Sequence, residues 1–140
     1  MICLKHIGII RSKYRSREQA PFQGKGVSRI LIDPEYGKGL KDVESFSHIH
    51  VLYYLHKSNS YTLSVRTPWD SSLHGIFATR TPNRPSPVGY AAARLIERKG
   101  RELVVEGLDA IDGTPVIDIK PYIPKVDCKK ANSGWLERKD

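Results

Sequence analysis

Short runs of alternating apolar and polar residues recur along the chain. In the clearest run, SHIHVLYYLH, four apolar side chains fall on one face of an extended strand: Ile49, Val51, Tyr53 and Leu55. The other extended runs are CLKHIGII, VSRILID, YTLSVR, HGIFATR, VGYAAARLIE, ELVVEGL and PVIDIK. The pattern therefore predicts about eight short strands.

Turn signals separate these strands, for example at the Lys-Gly pair of residues 99–100 and at Asp112–Gly113. The pattern over residues 88–110 predicts a hairpin with the Lys-Gly pair at its tip. One short helix is predicted over GLKDVESF, residues 39–46, and strands do not alternate with long helices. The chain is thus predicted to be mainly β, as a barrel or a sandwich, and not a doubly wound parallel sheet.

The length of 140 residues is typical of a single domain with a core of its own. The alternation ends after Tyr122, and residues 125–140 are mostly polar. We expect this segment to be a loosely packed extension that docks through Trp135 and Leu136. No apolar run approaches the roughly 18 residues that span a membrane. A secretory signal pattern is missing as well, so the cytoplasm is the expected location.

Positive charge dominates the composition, with 23 Lys and Arg against 15 Asp and Glu and a net charge of +8. This balance favours a polyanionic partner, with nucleic acid first, although many small proteins are basic without such a partner. The two cysteines, Cys3 and Cys128, exclude a disulfide scaffold, and no Cys/His spacing typical of zinc sites is present.

The stretch GIFATRTPNRPSPVG, residues 75–89, combines three prolines with Arg80 and Arg84. Proline fixes φ and removes a backbone donor, so the prolines are expected to hold the loop extended and to pre-position both guanidinium groups. A planar guanidinium group binds carboxylate or phosphate with two parallel hydrogen bonds. The alternative is that both arginines are surface charges on a rigid loop, or that one pairs with a nearby aspartate.

A second stretch, GLDAIDGTPVIDIKPYIP at residues 107–124, contains a turn at Asp112–Gly113 with Asp109 just before it. Two carboxylates beside a turn can bind hydroxyls, amines or a metal, or can act as a base. An aspartate before glycine is also an ordinary turn residue that bonds its own backbone. Asp118 alternates with two isoleucines and is expected to face solvent or an interface.

The histidines raise a metal hypothesis. His48 and His50 lie two residues apart on a strand and so share a face at about 7 Å, with His74 as a candidate third ligand. His56 lies eight residues after His48, about 26 Å along an unbent strand, and is therefore too far away to join the pair. Two histidines without a carboxylate motif make a weak zinc signal, and we expect no metal. Glycine-rich dinucleotide and phosphate loops are missing too.

Both long motifs, together with IGIIRSKY and ESFSHIHVLYYLHKS, resemble the TrmO (TsaA-like) family of tRNA methyltransferases. The resemblance implies a single small β-barrel with a short helix and irregular loops over residues 1–124, followed by a polar extension over residues 125–140. It implies S-adenosylmethionine as the cofactor without a Rossmann fold, and a homodimer with the cofactor site close to the subunit interface. The implied reaction is methyl transfer to the exocyclic nitrogen of threonylcarbamoyladenosine, beside the anticodon of tRNA.

The family's motifs assign site residues by position. The implied cofactor contacts are Pro21, Phe22, Gln23, His56, Lys57, Arg80, Leu108, Asp109, Ala110, Ile111 and Asp112. Phe22 departs from the usual basic residue of the family's Pro-x-Gln stretch, and Ser86 replaces the asparagine of its RPNP motif. The better studied bacterial members carry an extra C-terminal domain that these 140 residues do not include.

For the chemistry, Asp109 or Asp112 is the candidate base that takes the proton from the target nitrogen. Alternatively, both hold the cofactor's amine or ribose, and the substrate's own carboxylate assists. Arg80 and Arg84 are the candidates for binding the substrate's carboxylate or a phosphate. Two other hypotheses stay open: a non-catalytic S-adenosylmethionine- or RNA-binding module, and a metal-dependent hydrolase that uses His48, His50 and His74.

Overall fold

The computed structural model describes residues 1–16, 18–19 and 26–138. Its strands are β1 (Gly8–Arg11), β2 (Val27–Ile32), β3 (His48–Tyr54), β4 (Ser64–Arg66), β5 (Leu73–Gly75), β6 (Val88–Lys99), β7 (Glu102–Glu106) and β8 (Pro115–Pro121). The helical segments in the described residues are short: α1 (Pro124–Asp127) and the 3₁₀ helices Pro34–Leu40, Val43–Ser45, Ile76–Ala78 and Gly134–Arg138. Each predicted run overlaps one of these strands.

Six strands form a closed antiparallel barrel in the order β1-β2-β7-β6-β3-β8, and β8 pairs back onto β1. Strand β3 pairs along both of its edges, with β6 on one side and with β8 on the other. Closure removes the exposed sheet edges that two separate sheets would keep. The prediction of a mainly β fold is confirmed, and of the two predicted architectures the barrel is the correct one.

Alternation along the strands decides which side chains fill the barrel. On β3, Ile49, Val51 and Tyr53 are at most 3% exposed, and Leu55 packs half-buried against the core, as the sequence pattern predicts. The remaining buried members of the core are Ile10, Ile30, Ile32, Leu40, Ala93, Leu95, Leu103, Val105, Leu108, Ala110 and Val116. Removing this apolar surface from water is the main favourable term in folding.

Strands β6 and β7 form the predicted hairpin, which turns at Gly100 and Arg101. The pairing register shifts between Leu95 and Glu97 on β6. Such an irregularity bends a strand and increases its twist. The bend suits a long strand that curves around a small barrel while pairing with β3 and β7.

The region predicted as one short helix is helical, but it is split in two. One 3₁₀ helix ends at Leu40 and a second begins at Val43. Asp42 lies between them at φ 72°, in the left-handed region, where a right-handed helix cannot continue. The Arg98 guanidinium fastens both pieces, because Nη1 donates to the Leu40 carbonyl at 3.0 Å and to the Glu44 carboxylate at 2.8 Å. This hydrogen bond from Arg98 also lowers the pKa of Glu44.

The chain divides into two compact units. One comprises residues 1–56 and 88–122 and contains the barrel, and the other comprises residues 57–87 and 123–140. The second unit contains the β4–β5 hairpin, the 3₁₀ helix Ile76–Ala78 and the C-terminal segment. Within it, Trp135 donates a hydrogen bond to the Ala78 carbonyl, so the extension is docked through this side chain. The domain boundary after residue 124 stays a prediction.

The two cysteines, Cys3 and Cys128, are free and exposed. A chain of this size with a closed apolar core needs no disulfide to fold. Over the described part of the chain, none of the helices has the length and apolar character required to cross a bilayer.

Gly89 lies opposite Tyr53 in the β3–β6 pair, and a Cβ atom at residue 89 would overlap the buried Tyr53 ring. We expect Gly89→Ala to destabilise the protein by about 1–3 kcal/mol, because the ring is held inside the barrel. Urea unfolding followed by circular dichroism measures the difference. Gly39→Ala is the matched control, since a Cβ there meets no atom within 4 Å. If both variants unfold at the same urea concentration, this packing argument is wrong.

Candidate functional site

The acidic turn, residues 107–114, leads from β7 to β8 at one end of the barrel. Leu108, Ala110 and Ile111 are at most 8% exposed, whereas Asp109 is exposed and Asp112 is half-buried. The apolar side chains therefore anchor the turn in the core and leave the two carboxylates near the surface. A ligand at this turn would meet the buried three through their backbone groups.

Asp112 ties the turn to the segment that follows β1. Its Oδ1 accepts from the backbone N–H of Ser12 at 3.1 Å, and its Oδ2 lies 3.5 Å from Nη1 of Arg11. The backbone N–H of Asp112 donates to the Tyr14 carbonyl at 2.6 Å. The next residue, Gly113, has φ 87°, the left-handed conformation that glycine adopts without strain. Asp112 thus has the structural role of a turn residue, with both carboxylate oxygens engaged.

Asp109 is held from inside the barrel. The Tyr53 hydroxyl donates to Oδ1 of Asp109 at 2.5 Å, while the Tyr53 residue is 3% exposed. The phenol therefore links a core position on β3 to an exposed carboxylate on the acidic turn. A buried hydroxyl needs such a partner, because an unpaired polar group in a core costs about 1–3 kcal/mol.

Burial raises the pKa of Tyr53 far above its usual value, and the negative charge of Asp109 raises it further. The phenol accordingly stays protonated and remains a donor at every pH at which the protein is expected to work. Oδ1 of Asp109 is fixed in orientation, and Oδ2 is the oxygen through which this carboxylate can bind a further donor.

The arginine loop, residues 76–87, belongs to the second unit. Here Arg84 is half-buried, and its Nη1 donates to the carbonyls of Thr79 at 2.8 Å and Thr81 at 3.1 Å. The Ser58 hydroxyl bonds to the Pro82 carbonyl at 3.0 Å. Prolines are thus only part of what holds the loop, because the guanidinium of Arg84 also fixes it from within.

The predicted strand HGIFATR ends at Gly75 and continues as the 3₁₀ helix Ile76–Ala78. The hydroxyl of Thr79 donates to the Ile76 carbonyl at 2.9 Å, and the Thr79 N–H donates to the same oxygen at 3.2 Å, so both bonds close this helical turn. Arg80 follows directly and is exposed.

The predicted site residues fall into three groups. His56 and the residues Leu108, Asp109, Ala110, Ile111 and Asp112 belong to the barrel unit. Lys57, Arg80 and Arg84 belong to the second unit. Pro21, Phe22 and Gln23 lie outside the described residues. His56 is half-buried directly after β3, and Lys57 is exposed. Their roles at the site stay predictions.

Two groups that hold the candidate site are not predicted from the sequence. The strand pattern predicts Tyr53 only as a core residue, and no sequence signal points to Ser12. The available signal for Tyr53 is a hydroxyl at a core-facing position of a strand, because such a group must find a buried or local partner.

The three histidines of the metal hypothesis, His48, His50 and His74, each form a hydrogen bond with another side chain. Nδ1 of His50 lies 2.8 Å from the Tyr90 hydroxyl, and Nδ1 of His48 lies 2.8 Å from the Ser47 hydroxyl. Nε2 of His74 lies 2.9 Å from Oδ1 of Asp70. Across residues 1–16, 18–19 and 26–138, no three His, Cys, Asp or Glu side chains are grouped so that they could hold a metal ion. The described residues therefore give the hydrolase hypothesis no support.

Comparison with protein-family models matches residues 9–128 to the tRNA-methyltransferase O N-terminal domain. The matched range includes the arginine loop, the acidic turn and the strands of the barrel except the first residue of β1. The chain belongs to this family. The resemblance found in the sequence motifs is thereby confirmed for most of the chain.

Individual relatives extend this finding. A probable S-adenosyl-L-methionine-binding protein of Archaeoglobus fulgidus is 49% identical over 141 residues, covering 98% of this chain and 38% of that protein. The tRNA (adenine(37)-N6)-methyltransferase of Mus musculus is 40% identical over 101 residues, covering 70% of this chain and 23% of that protein. The crystal structure of TrmO from Pseudomonas aeruginosa superposes with a TM-score of 0.80 at 28% identity, covering 98% of this chain and 62% of that one. This chain thus spans less than two thirds of each of the three.

Tyr53→Phe removes only the hydroxyl that holds Asp109. We expect it to lower the free energy of unfolding at pH 7.5 by about 1–2 kcal/mol, the value of one hydrogen bond to a partly solvated carboxylate. The folded-state pKa of Tyr53 is raised above the unfolded value near 10. The stability that the hydroxyl contributes is therefore fully present below about pH 10 and declines above it.

The measurement is urea unfolding of the wild type and Tyr53→Phe at pH 7.5 and pH 11. The difference in the free energy of unfolding between the two proteins should be smaller by about 1 kcal/mol at the higher pH. Tyr54→Phe, at the neighbouring exposed position, controls for loss of a hydroxyl from the surface. A difference that is the same at both pH values would contradict a buried, protonated Tyr53.

Proposed function

We propose that this protein is an S-adenosylmethionine-dependent methyltransferase that acts on tRNA. Its substrate group is the exocyclic nitrogen of threonylcarbamoyladenosine next to the anticodon. The observation that carries this proposal is the match of residues 9–128 to the tRNA-methyltransferase O N-terminal domain. Relatives named as S-adenosyl-L-methionine-binding and as tRNA (adenine(37)-N6)-methyltransferase support it.

Asp109 has the chemistry expected of a cofactor ligand. S-adenosylmethionine carries an ammonium group and ribose hydroxyls, and when bound it supplies an electrophilic methyl group on its sulfonium. The exposed carboxylate of Asp109, with Oδ1 fixed by Tyr53, can accept a hydrogen bond from either kind of donor through Oδ2. Backbone groups of Leu108, Ala110 and Ile111 in the same turn would also contact the cofactor. His56 and Lys57, which follow β3, are further proposed cofactor ligands.

The base that accepts the proton from the target nitrogen is then Asp109 or the substrate's own carboxylate. Asp112 is less suited to this task, because Ser12 and Arg11 already bind its two oxygens. Arg80 is exposed next to a fixed stretch of backbone and would bind the substrate's carboxylate or a tRNA phosphate. Arg84 would contribute mainly by holding the loop that carries Arg80.

The net charge of +8 favours association with the tRNA backbone at low salt. A homodimer is part of the proposal, because the family resemblance implies a cofactor site close to a subunit interface. The proposal also includes a cytoplasmic location and a reaction without a metal ion.

A second candidate function is a module that binds S-adenosylmethionine or RNA without catalysing transfer. One observation favours it: a relative from Archaeoglobus fulgidus that is 42% identical over 134 residues, covering 94% of this chain and 96% of that protein, is named an S-adenosyl-L-methionine-binding protein. Both functions predict cofactor binding, and they differ only in whether methylated tRNA is formed.

The proposal is tested by calorimetric titration of the cofactor-free protein with S-adenosylmethionine, followed by methyl transfer to tRNA that carries threonylcarbamoyladenosine. We expect saturable binding, and we expect Asp109→Asn to weaken it about ten-fold, the loss of one charge-assisted hydrogen bond. Asp118→Asn is the matched control, because this barrel carboxylate lies outside the acidic turn and pairs with Lys120.

Each outcome separates the candidates. Binding together with a methylated nucleoside supports the enzyme, whereas binding without any product supports the non-catalytic module. Absence of binding contradicts both. If Asp109→Asn and Asp118→Asn bind S-adenosylmethionine equally well, the proposed function stands, but Asp109 is not a cofactor ligand.

A further inference from the structure

Trp135 contacts two residues from the other segment of the second unit, although it lies beyond residue 128, where the family match ends. Its Nε1–H donates to the Ala78 carbonyl at 2.9 Å. Its indole ring stacks on the imidazole of His74, with 3.7 Å between ring centroids and 15° between ring planes. A side chain with both an apolar face and a single donor is suited to such a double contact.

His74 provides a fixed surface for this stacking. Its backbone belongs to β5 and pairs with Val65 of β4. Its Nε2 lies 2.9 Å and 3.0 Å from the two carboxylate oxygens of Asp70, and its side chain is 15% exposed. The imidazole is therefore held from its backbone and from its ring edge, so that Trp135 docks onto an ordered group.

The Ala78 carbonyl completes a series of fixed carbonyls around Arg80. The Ile76 carbonyl is bound by Thr79, and the carbonyls of Thr79 and Thr81 are bound by Arg84. All of these bonds come from within the loop. The bond to Ala78 is different, because its donor comes from the C-terminal segment.

We infer that Trp135 is a positioning residue for Arg80: by stacking on His74 and binding the Ala78 carbonyl, it fixes the backbone from which the Arg80 side chain extends. The C-terminal segment then belongs to the machinery that binds substrate and is more than a polar tail. This inference rests on the proposed function of Arg80 as a ligand of the substrate's carboxylate or a phosphate.

The first part of the test measures the docking alone, in the full chain without cofactor or tRNA. Hydrogen exchange is followed at the amides of Ile76 and Thr79, which donate to the carbonyls of Leu63 and Ile76. Trp135→Ala should accelerate both amides about ten-fold, and Trp135→Phe, which keeps a ring but loses the donor, should have a smaller effect. Leu136→Ala, the neighbouring and partly exposed position, is the control and should leave both rates within about two-fold.

The second part measures whether the docking acts through Arg80. Trp135→Ala should lower kcat/KM for tRNA about ten-fold in the protein with Arg80, and by less than about two-fold in the Arg80→Ala background. A residue that merely stabilises the fold would give the same loss in both backgrounds. Trp135→Phe repeats the cycle if Trp135→Ala does not fold.

The outcomes separate this inference from the function on which it rests. Unchanged exchange at Ile76 and Thr79 overturns the docking, whatever the activity. Accelerated exchange with equal losses in both backgrounds overturns positioning through Arg80. A wild type that transfers no methyl group to tRNA overturns the proposed enzyme function and the role of Arg80 with it, while the exchange rates still report on the docking.

Discussion

The double pairing of strand β3 is the constraint on which the barrel and the candidate site both depend. Because β3 pairs with β6 and with β8, its position in the closed sheet is fixed along both edges. Its inward positions are filled by Ile49, Val51 and Tyr53. The last of these brings a hydroxyl to Asp109 on the acidic turn, so the same alternation that builds the core also orients an exposed carboxylate.

The two carboxylates of the acidic turn are close in sequence but differ in their surroundings. Asp112 is occupied by the backbone of Ser12 and by Arg11, so it holds the turn against the end of β1. Asp109 is exposed, and its Oδ1 accepts a hydrogen bond from a protonated phenol. This division assigns the structural task to one aspartate and leaves the other oriented for binding, which agrees with the proposed cofactor role of Asp109.

Much of the fold could be predicted from the chain. Alternation in SHIHVLYYLH predicted the buried face of β3, and the Lys-Gly pair predicted the β6–β7 hairpin, because both depend on local patterns. The split of the predicted helix at Asp42 and the early end of the HGIFATR strand could not be predicted. The fixing of these segments by Arg98 and Thr79 involves hydrogen bonds that periodicity does not encode.

The candidate site was predictable only in part, for the same reason. Family motifs predicted Asp109 and Arg80 as site residues, whereas the groups that hold Asp109 and the loop of Arg80 lie far away in the sequence. Tyr53 lies 56 residues before Asp109, and Trp135 lies 57 residues after Ala78. Pairings over such distances follow from the fold and not from local sequence. The substrate-binding role of Arg84 stays a prediction; its Nη1 also bonds to two carbonyls of its own loop.

The central claim is that Asp109, oriented by Tyr53, is the carboxylate that meets the cofactor. It is tested most directly by carbon-detected NMR of the aspartate side-chain carboxyl groups during titration with S-adenosylmethionine. The account predicts that the Asp109 Cγ signal shifts and saturates with the cofactor, while the Asp112 signal moves far less. A saturating shift at Asp112 with an unchanged Asp109 signal would contradict it.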